Sequence, residues 1–300
     1  MKKYFRKGIF DRSDGWRLRK VPMVFSIMPV IMRTRLDSQN LYEDDISIEA
    51  VEAFIKEKRE EIPGLSIMHV IVAATVRMFS QRPYLNRFVV YNKLYAHDNI
   101  TVSMAIKKNL TDDGEETIIK PEFEPEDTLQ DVVRKFNAAW EESNKEGKNN
   151  STDKVGGLLA YCPTFLIRFI VWILRGLDNI GLMPKAIIKA SPWHSSVFIT
   201  NVGSIGIGPI YHHLTEFGTC GMFIAMGKKI RTKKYDMDGN ETVEKTIGIK
   251  IVTDERICDG YYYALTMKMF KKYMQNPELL LNPPEKVVVD DGVGKKRIDI

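Results

Sequence analysis

The stretch TDERICDGYYYA (253–264) sets Glu255 four residues ahead of Asp259, with Asp254 and Arg256 on either side of the glutamate. It lies between an apolar, strand-like run and a helix-like run. A carboxylate in such a turn is a candidate general base. Near pKa 4.3 it falls about 4 units short of a group that ionises near 8.5, roughly 5.7 kcal/mol. Burial that raises a glutamate toward 8 or 9 closes that gap. Arg256 opposes such a rise if the two side chains meet, but strand neighbours normally point to opposite faces. The alternative is a polar turn residue in a site without chemistry, and the sequence leaves both open.

Other groups offer themselves as partners or substitutes. His213, in PIYHHLTEFG after Gly208, is an alternative base if its loop reaches the site; a paired loop histidine is otherwise a surface feature. His194, in SPWHSS, and His69, inside an apolar helical run, read as structural. The three cysteines form no CxxC pair and the five histidines show no metal-ligand spacing, so no metal is expected. DMDGN (236–240) hints at a calcium loop but lacks the downstream glutamate, and Asp238-Gly239 reads as a hairpin turn. VGSIGIG has the wrong spacing for a dinucleotide fingerprint.

The elements that must position these groups follow from periodicity. KVPMVFSIMPVIMRTRLD (20–37) reads as a buried strand from its Val, Ile and Met content. Ser47 opens a helix with Val51, Phe54 and Ile55 on one face, ending before Pro63-Gly64. Ser66–Ser80 is apolar nearly all round and reads as a buried helix. Arg87–Tyr91 and Ile100–Ile106 read as strands, with a turn at Asn92-Lys93. Asp127-Thr128 starts a helix with Gln130 as a partial capping box and Val132, Val133, Phe136, Ala139 and Trp140 as its stripe. Lys145–Lys154 is a polar loop. Ser196–Thr200, Gly221–Lys228 and Thr246–Thr253 read as strands, Tyr261–Gln275 as a helix, and 281–300 as an extended tail. Helices and strands mix without regular βαβ alternation, which points to an α+β, two-layer sandwich with a mixed sheet in a single domain.

Composition excludes little: 300 residues, 44% hydrophobic, 28% charged, net charge +5. The basic start, KKYFRKGIFDRSDGWRLRK, is taken as a solvated face rather than a nucleic-acid site. An odd cysteine count and no signal-like start favour a reducing cytoplasm. An apolar helical insertion occupies 155–192. Its most apolar part is about ten residues long and contains Arg168, too short for a bilayer span of about 20. A helix packed on the core or on another subunit is the plain expectation. An acyl-chain wall using Phe169 and Trp172, or a peripheral membrane contact, are the sharper ones.

Glu255-Arg256-Ile257-Cys258-Asp259-Gly260 resembles the His-x-x-x-Asp-Gly signature of the chloramphenicol acetyltransferase and dihydrolipoamide acyltransferase superfamily, with Glu255 in the histidine's place. The neighbouring Asp254 and Arg256 match the 2-oxo acid dehydrogenase branch. SVFITNVGSIGIGPIYHHLTEFGTCGMFIAMGK resembles the family's strand-loop-strand segment, with Thr200 where serine is common. PYLNRFVVYNKLYAHDNITVSMAI and GWRLRK also resemble family segments, so the likeness runs over roughly residues 14–275. It implies a CoA-dependent acyltransferase fold and a homotrimer with active sites between subunits. It further implies acyl transfer from coenzyme A or an acyl-CoA to a small thiol or hydroxyl acceptor. Carried over, Glu255 is the base, Thr200 the oxyanion donor from a neighbouring subunit, and Asp259 a structural residue ion-paired to Arg17 or Arg19. Lipoyl and peripheral-subunit-binding segments do not occur in the sequence, so a standalone acyltransferase is expected. The alternative is a catalytically inactive trimer that binds an acyl ligand or acts as a scaffold.

Overall fold

The computed structural model describes residues 8, 11–107, 116–144, 161–290 and 292. Most of the basic start, the Lys145–Lys154 loop, the beginning of the insertion and the last tail residues lie outside them.

The elements in chain order are β1 (Gly15–Arg17), α1 (Met23–Ile31), β2 (Gln39–Ser47), α2 (Glu49–Lys58), α3 (Ile67–Gln81), β3 (Arg87–Val90), β4 (Lys93–His97), β5 (Ile100–Lys107), β6 (Glu116–Ile119), β7 (Glu122–Phe123), α4 (Leu129–Asn144), α5 (Thr164–Asn179), α6 (Lys185–Ala190), β8 (Val197–Asn201), β9 (Met222–Tyr235), β10 (Glu241–Asp254) and α7 (Gly260–Gln275). A seven-stranded sheet runs β2-β10-β9-β8-β5-β6, with β7 paired to β5; β1-β4-β3 form a smaller sheet. The large sheet is mixed: β8 is parallel to both β5 and β9, and the other pairs are antiparallel. Helices α2, α3, α4 and α7 cover it, giving the expected α+β two-layer sandwich. Burial of α3 from His69 to Ser80 accounts for a helix apolar on every side.

Local chemistry fixes the boundaries. Ser66 and His69 form a reciprocal cap at the start of α3, the Ser66 N–H donating to His69 Nδ1 at 3.1 Å, while His69 Nε2 pairs with Asn137 at 2.9 Å. At α4 the capping partner of Thr128 is Asp131, not Gln130. Tyr91 and Asn92 adopt positive φ in the β3–β4 hairpin, one residue earlier than the turn expected at Asn92-Lys93. Asp238-Gly239 does form the β9–β10 turn: the Asp236 carboxylate accepts from the Asp238 and Asn240 N–H groups, and Gly239 takes φ +84°.

The run 20–37 is no strand. Pro22, extended at φ −51° and ψ 146°, starts α1, whose Met23, Val24, Ile27, Val30 and Ile31 face outward while Phe25 and Pro29 face inward. Its apolar content reflects an uncovered helical stripe, which composition alone does not separate from a buried strand. The missing strand is the polar QNLYEDDIS of β2, made a strand by nine-residue pairing with β10 at the sheet edge. The tail also differs in part: it extends away from α7 but returns to the core, where Asp290 is fully buried against Arg87 (2.6 Å) and Val288 N–H donates to the Ser80 carbonyl.

His97, at the end of β4, is buried against the Phe88 ring at 4.3 Å. Burial pushes its imidazole down to about 4, against the opposing pull of Asp14. The unfolded chain binds this proton near 6.5 and the folded chain does not. The stabilising contribution is therefore complete above pH 6.5 and is lost as pH falls toward 4, up to about 3 kcal/mol. Urea midpoints measured from pH 7 to 4 are expected to fall, and His97→Gln to flatten part of that fall; an identical slope in the variant refutes the assignment.

Candidate functional site

The turn after β10 is held by charge. Arg256 donates from Nε to Asp254 Oδ1 at 2.8 Å and from Nη2 to Oδ2 at 2.7 Å, and both side chains are buried. Ser38 Oγ donates to the same carboxylate at 3.0 Å, and Arg256 Nη1 donates to the Met32 carbonyl at 3.1 Å. Between these two fixed residues, Glu255 donates its N–H to the Ser38 carbonyl (2.8 Å) and leaves its side chain exposed. Arg256 is thus committed to Asp254 and does not pair with Glu255.

Two further buried arginines brace this end of the sheet. Fully buried Arg35 donates to the carbonyls of Val89, Thr215, Glu216 and Gly218 at 2.8–3.0 Å, tying the long loop before β9 to β3. Desolvation by burial pushes its guanidinium below the usual arginine range. Arg87 donates to the Ile257 carbonyl at 3.3 Å and stacks over Tyr84, besides pairing with Asp290. Arg35, Arg87 and Asp290 were absent from the sequence-derived site. Their partners are carbonyls or lie about 200 residues away, so no local spacing announces them.

Asp259 corrects the expectation attached to it. It caps α7, its Oδ1 accepting from the Tyr262 N–H at 2.8 Å. Neither Arg17 nor Arg19 forms an ion pair with it. Arg17 lies on β1 opposite Tyr95, and the buried pair next to the motif is Asp254–Arg256.

Thr200 lies half-buried on β8 in a cleft of ≈ 670 Å³ shared with His69, Asn137, Trp140, Ser204 and Ile205. The turn after it is fixed by Asn201, whose Oδ1 accepts from the Ser204 N–H at 3.2 Å. Gly203 is required here because a Cβ would fall on the Gly227 carbonyl oxygen. Pro209 lies across Gly227 with as little room, and across Gly248 less tightly. A neighbouring cleft of ≈ 590 Å³ is bordered by Lys56, Arg59, Lys228 and Lys229, with Ser204 common to both clefts.

Thr200 and Glu255 do not meet within one chain. Thr200 is level with Ala225 on β9, and Ala225 with Lys250 on β10, five residues before Glu255. Two strand spacings and five residues of rise separate the backbones by about 19 Å. His213 is exposed. His212 stacks on Phe223 at 4.3 Å and is pushed down by burial. His194 is buried, bonded to Ser191 at 2.7 Å and near Asp178 at 3.4 Å. Phe169 and Trp172 stack on each other at 6.1 Å, are 56% and 71% exposed, and line neither cleft, so the chain by itself builds no acyl wall from them. Among the described residues, no group of three or more His, Cys, Asp or Glu is placed to hold a metal.

The layered sheet, the strand-turn-helix around Glu255 and the glycine-tight turn after Thr200 build an acyltransferase-like fold, shared with the solved structures that follow. Residues 193–282, from just before β8 through α7, match the family of 2-oxoacid dehydrogenases acyltransferase (catalytic domain). Among solved structures, a probable dihydrolipoamide acetyltransferase from Listeria monocytogenes 4b F2365 is 12% identical, covers 86% of this chain and 94% of its own, and has a TM-score of 0.53. The cubic core of the pyruvate dehydrogenase multienzyme complex is 13% identical over 88% and 93%, with a TM-score of 0.55. A chloramphenicol acetyltransferase is 10% identical over 84% and 93%, with a TM-score of 0.51. A comparison with curated protein sequences finds no match.

Three stability outcomes follow. Arg256→Met, which strands a buried carboxylate, is expected to cost about 3–5 kcal/mol in urea unfolding. Ser38→Ala is expected to cost only about 1 kcal/mol, and equal costs would remove the ion pair from its bracing role. Gly203→Ala is expected to lower the melting temperature by several degrees through overpacking of about 1–3 kcal/mol; calorimetry showing no change refutes the close approach.

Proposed function

We propose that the protein transfers an acyl group from a coenzyme A thioester to a small thiol or hydroxyl acceptor, at a site shared between subunits of a homotrimer. The observation that carries this reading is the separation of about 19 Å between the only motif-placed base, Glu255, and the cleft hydroxyl of Thr200. One chain cannot use both on one substrate. A neighbouring chain that brings its Thr200 cleft against Glu255 supplies both. The exposed apolar stripe of α1, whose C-terminal end Arg256 binds through Met32, is available for that contact.

In this mechanism Glu255 takes the acceptor's proton as its sulfur or oxygen attacks the thioester carbonyl. The hydroxyl of Thr200 donates to the resulting oxyanion. Collapse of the tetrahedral intermediate expels the coenzyme A thiolate, which recovers the proton from Glu255. Covering Glu255 by the second subunit excludes bulk water from the carboxylate and the acceptor. The cleft rimmed by Lys56, Arg59, Lys228 and Lys229 suits the phosphates of coenzyme A, next to the Thr200 cleft.

The test is release of free coenzyme A from a panel of acyl-CoAs in the presence of thiol and hydroxyl acceptors. Glu255→Gln is expected to lower kcat by about 10²–10⁴ and Thr200→Ala by about 10²–10³, with Thr200→Ser largely retained. Co-assembled Glu255→Gln and Thr200→Ala chains should regain activity, because some interfaces pair an intact Glu255 with an intact Thr200. Full turnover in both single variants, or no regain on mixing, overturns the reading. Acyl-CoA binding without any turnover would make the protein a ligand-binding module instead.

A further inference from the structure

Helix α5 is built the wrong way round for a helix that packs on its own core. Its only buried residue is Asp178. Ile167, Ile170, Val171, Leu174 and Leu177 are half-buried on the inner side. Phe165 (74% exposed), Phe169, Trp172 and Ile173 face away from the body. The spacing 165, 169, 172, 176 draws one straight stripe down the outer side of the helix, about 16 Å long at 1.5 Å per residue. Tyr161 before it and Ile180 and Leu182 after it are also exposed.

Charge narrows what can cover the stripe. From 161 to 190 there are four cations, Arg168, Arg175, Lys185 and Lys189, and one acid, Asp178. That acid is turned inward: Arg12 Nη2 donates to its Oδ1 at 2.6 Å, and His194 Nε2 lies 3.4 Å from the same oxygen. Burial pushes the carboxyl up, but the hydrogen bond of His194 and the charge of Arg12 hold it below the usual carboxylate range. The solvent side of α5 is therefore apolar along the stripe and purely cationic beside it, with Arg168 and Arg175 seven residues apart on one edge. Two copies joined stripe to stripe would bring arginines together with no carboxylate to answer them. An anionic bilayer answers them at every position and accepts aromatic rings at its interface.

We propose that α5 is a membrane-surface anchor that lays Phe165, Phe169 and Trp172 into the headgroup and acyl boundary of an anionic bilayer, with Arg168 and Arg175 on lipid phosphates. The helix lies on the membrane and does not cross it. No helix among the described residues is long and apolar enough to do so. The ion pair of Asp178 with Arg12 joins the anchor to the body from behind.

The test is sedimentation of the full chain with phosphatidylglycerol-containing vesicles and with pure phosphatidylcholine vesicles. Binding is expected to the former only and to weaken with salt. Phe169→Glu/Trp172→Glu is expected to lower the bound fraction about tenfold or more, with an unchanged melting temperature and unchanged mass in solution. Tryptophan quenching by brominated lipid should be seen in the parent and lost in Trp172→Phe, which still binds. No binding at low salt, equal binding by the double variant, or quenching that survives Trp172→Phe overturns the proposal. So does a fall in oligomeric mass in the double variant, which would make the stripe a subunit interface. None of these outcomes bears on the acyl-transfer assay.

Discussion

The buried Asp254–Arg256 pair is what the strand-to-helix turn depends on. Two opposite charges removed from water are stable only if nearly every lone pair and proton is met. Here Ser38 and the Met32 carbonyl meet most of the remainder. The requirement couples three distant pieces of chain: the end of α1, the segment before β2, and the turn after β10. With those pieces locked, the residue between the charged partners has little backbone freedom. The backbone of Glu255 is fixed by this mount, while its side chain stays exposed.

The same economy appears at the other end of the sheet. Gly203, Gly227 and Gly248 let three backbone segments and Pro209 approach more closely than side chains would permit. The hydroxyl of Thr200 is therefore aimed by backbone packing and not by a network of side chains. The backbones of Glu255 and Thr200 are each fixed, by different physics, at positions about 19 Å apart within one chain.

Much of this was legible in the chain itself. The all-apolar run of α3, the Asp-Gly turn between β9 and β10, and the strand-turn-helix around Glu255 carry strong local signals, and the structure has them within a residue or two. The mixed-sheet sandwich followed from their order, and its likeness to the acyltransferases from the motif around Glu255. What was not legible is what depends on partners far along the chain. β2 is a polar segment whose extended form comes from pairing with β10. α1 is an apolar segment whose stripe is left uncovered, which its composition disguised as a strand. Asp259 carries the motif's aspartate, but a cap and an ion pair demand the same residue type, and only the position of Arg17 on β1 separates them. Asp290 looks like part of a loose tail, and its burial against Arg87 is visible only in three dimensions.

The attachment of α5 through Asp178 has a consequence for how such a chain changes over generations. Arg12 sits in the body, 2% exposed, shared between Asp14 and Asp178. Deleting α5 would leave that guanidinium with only half its counter-charge in a site that excludes water. Replacing Arg12 first would strand Asp178 beside Asp14. Each single step is uphill, so the helix is held in place by one buried cation rather than by the surface it presents.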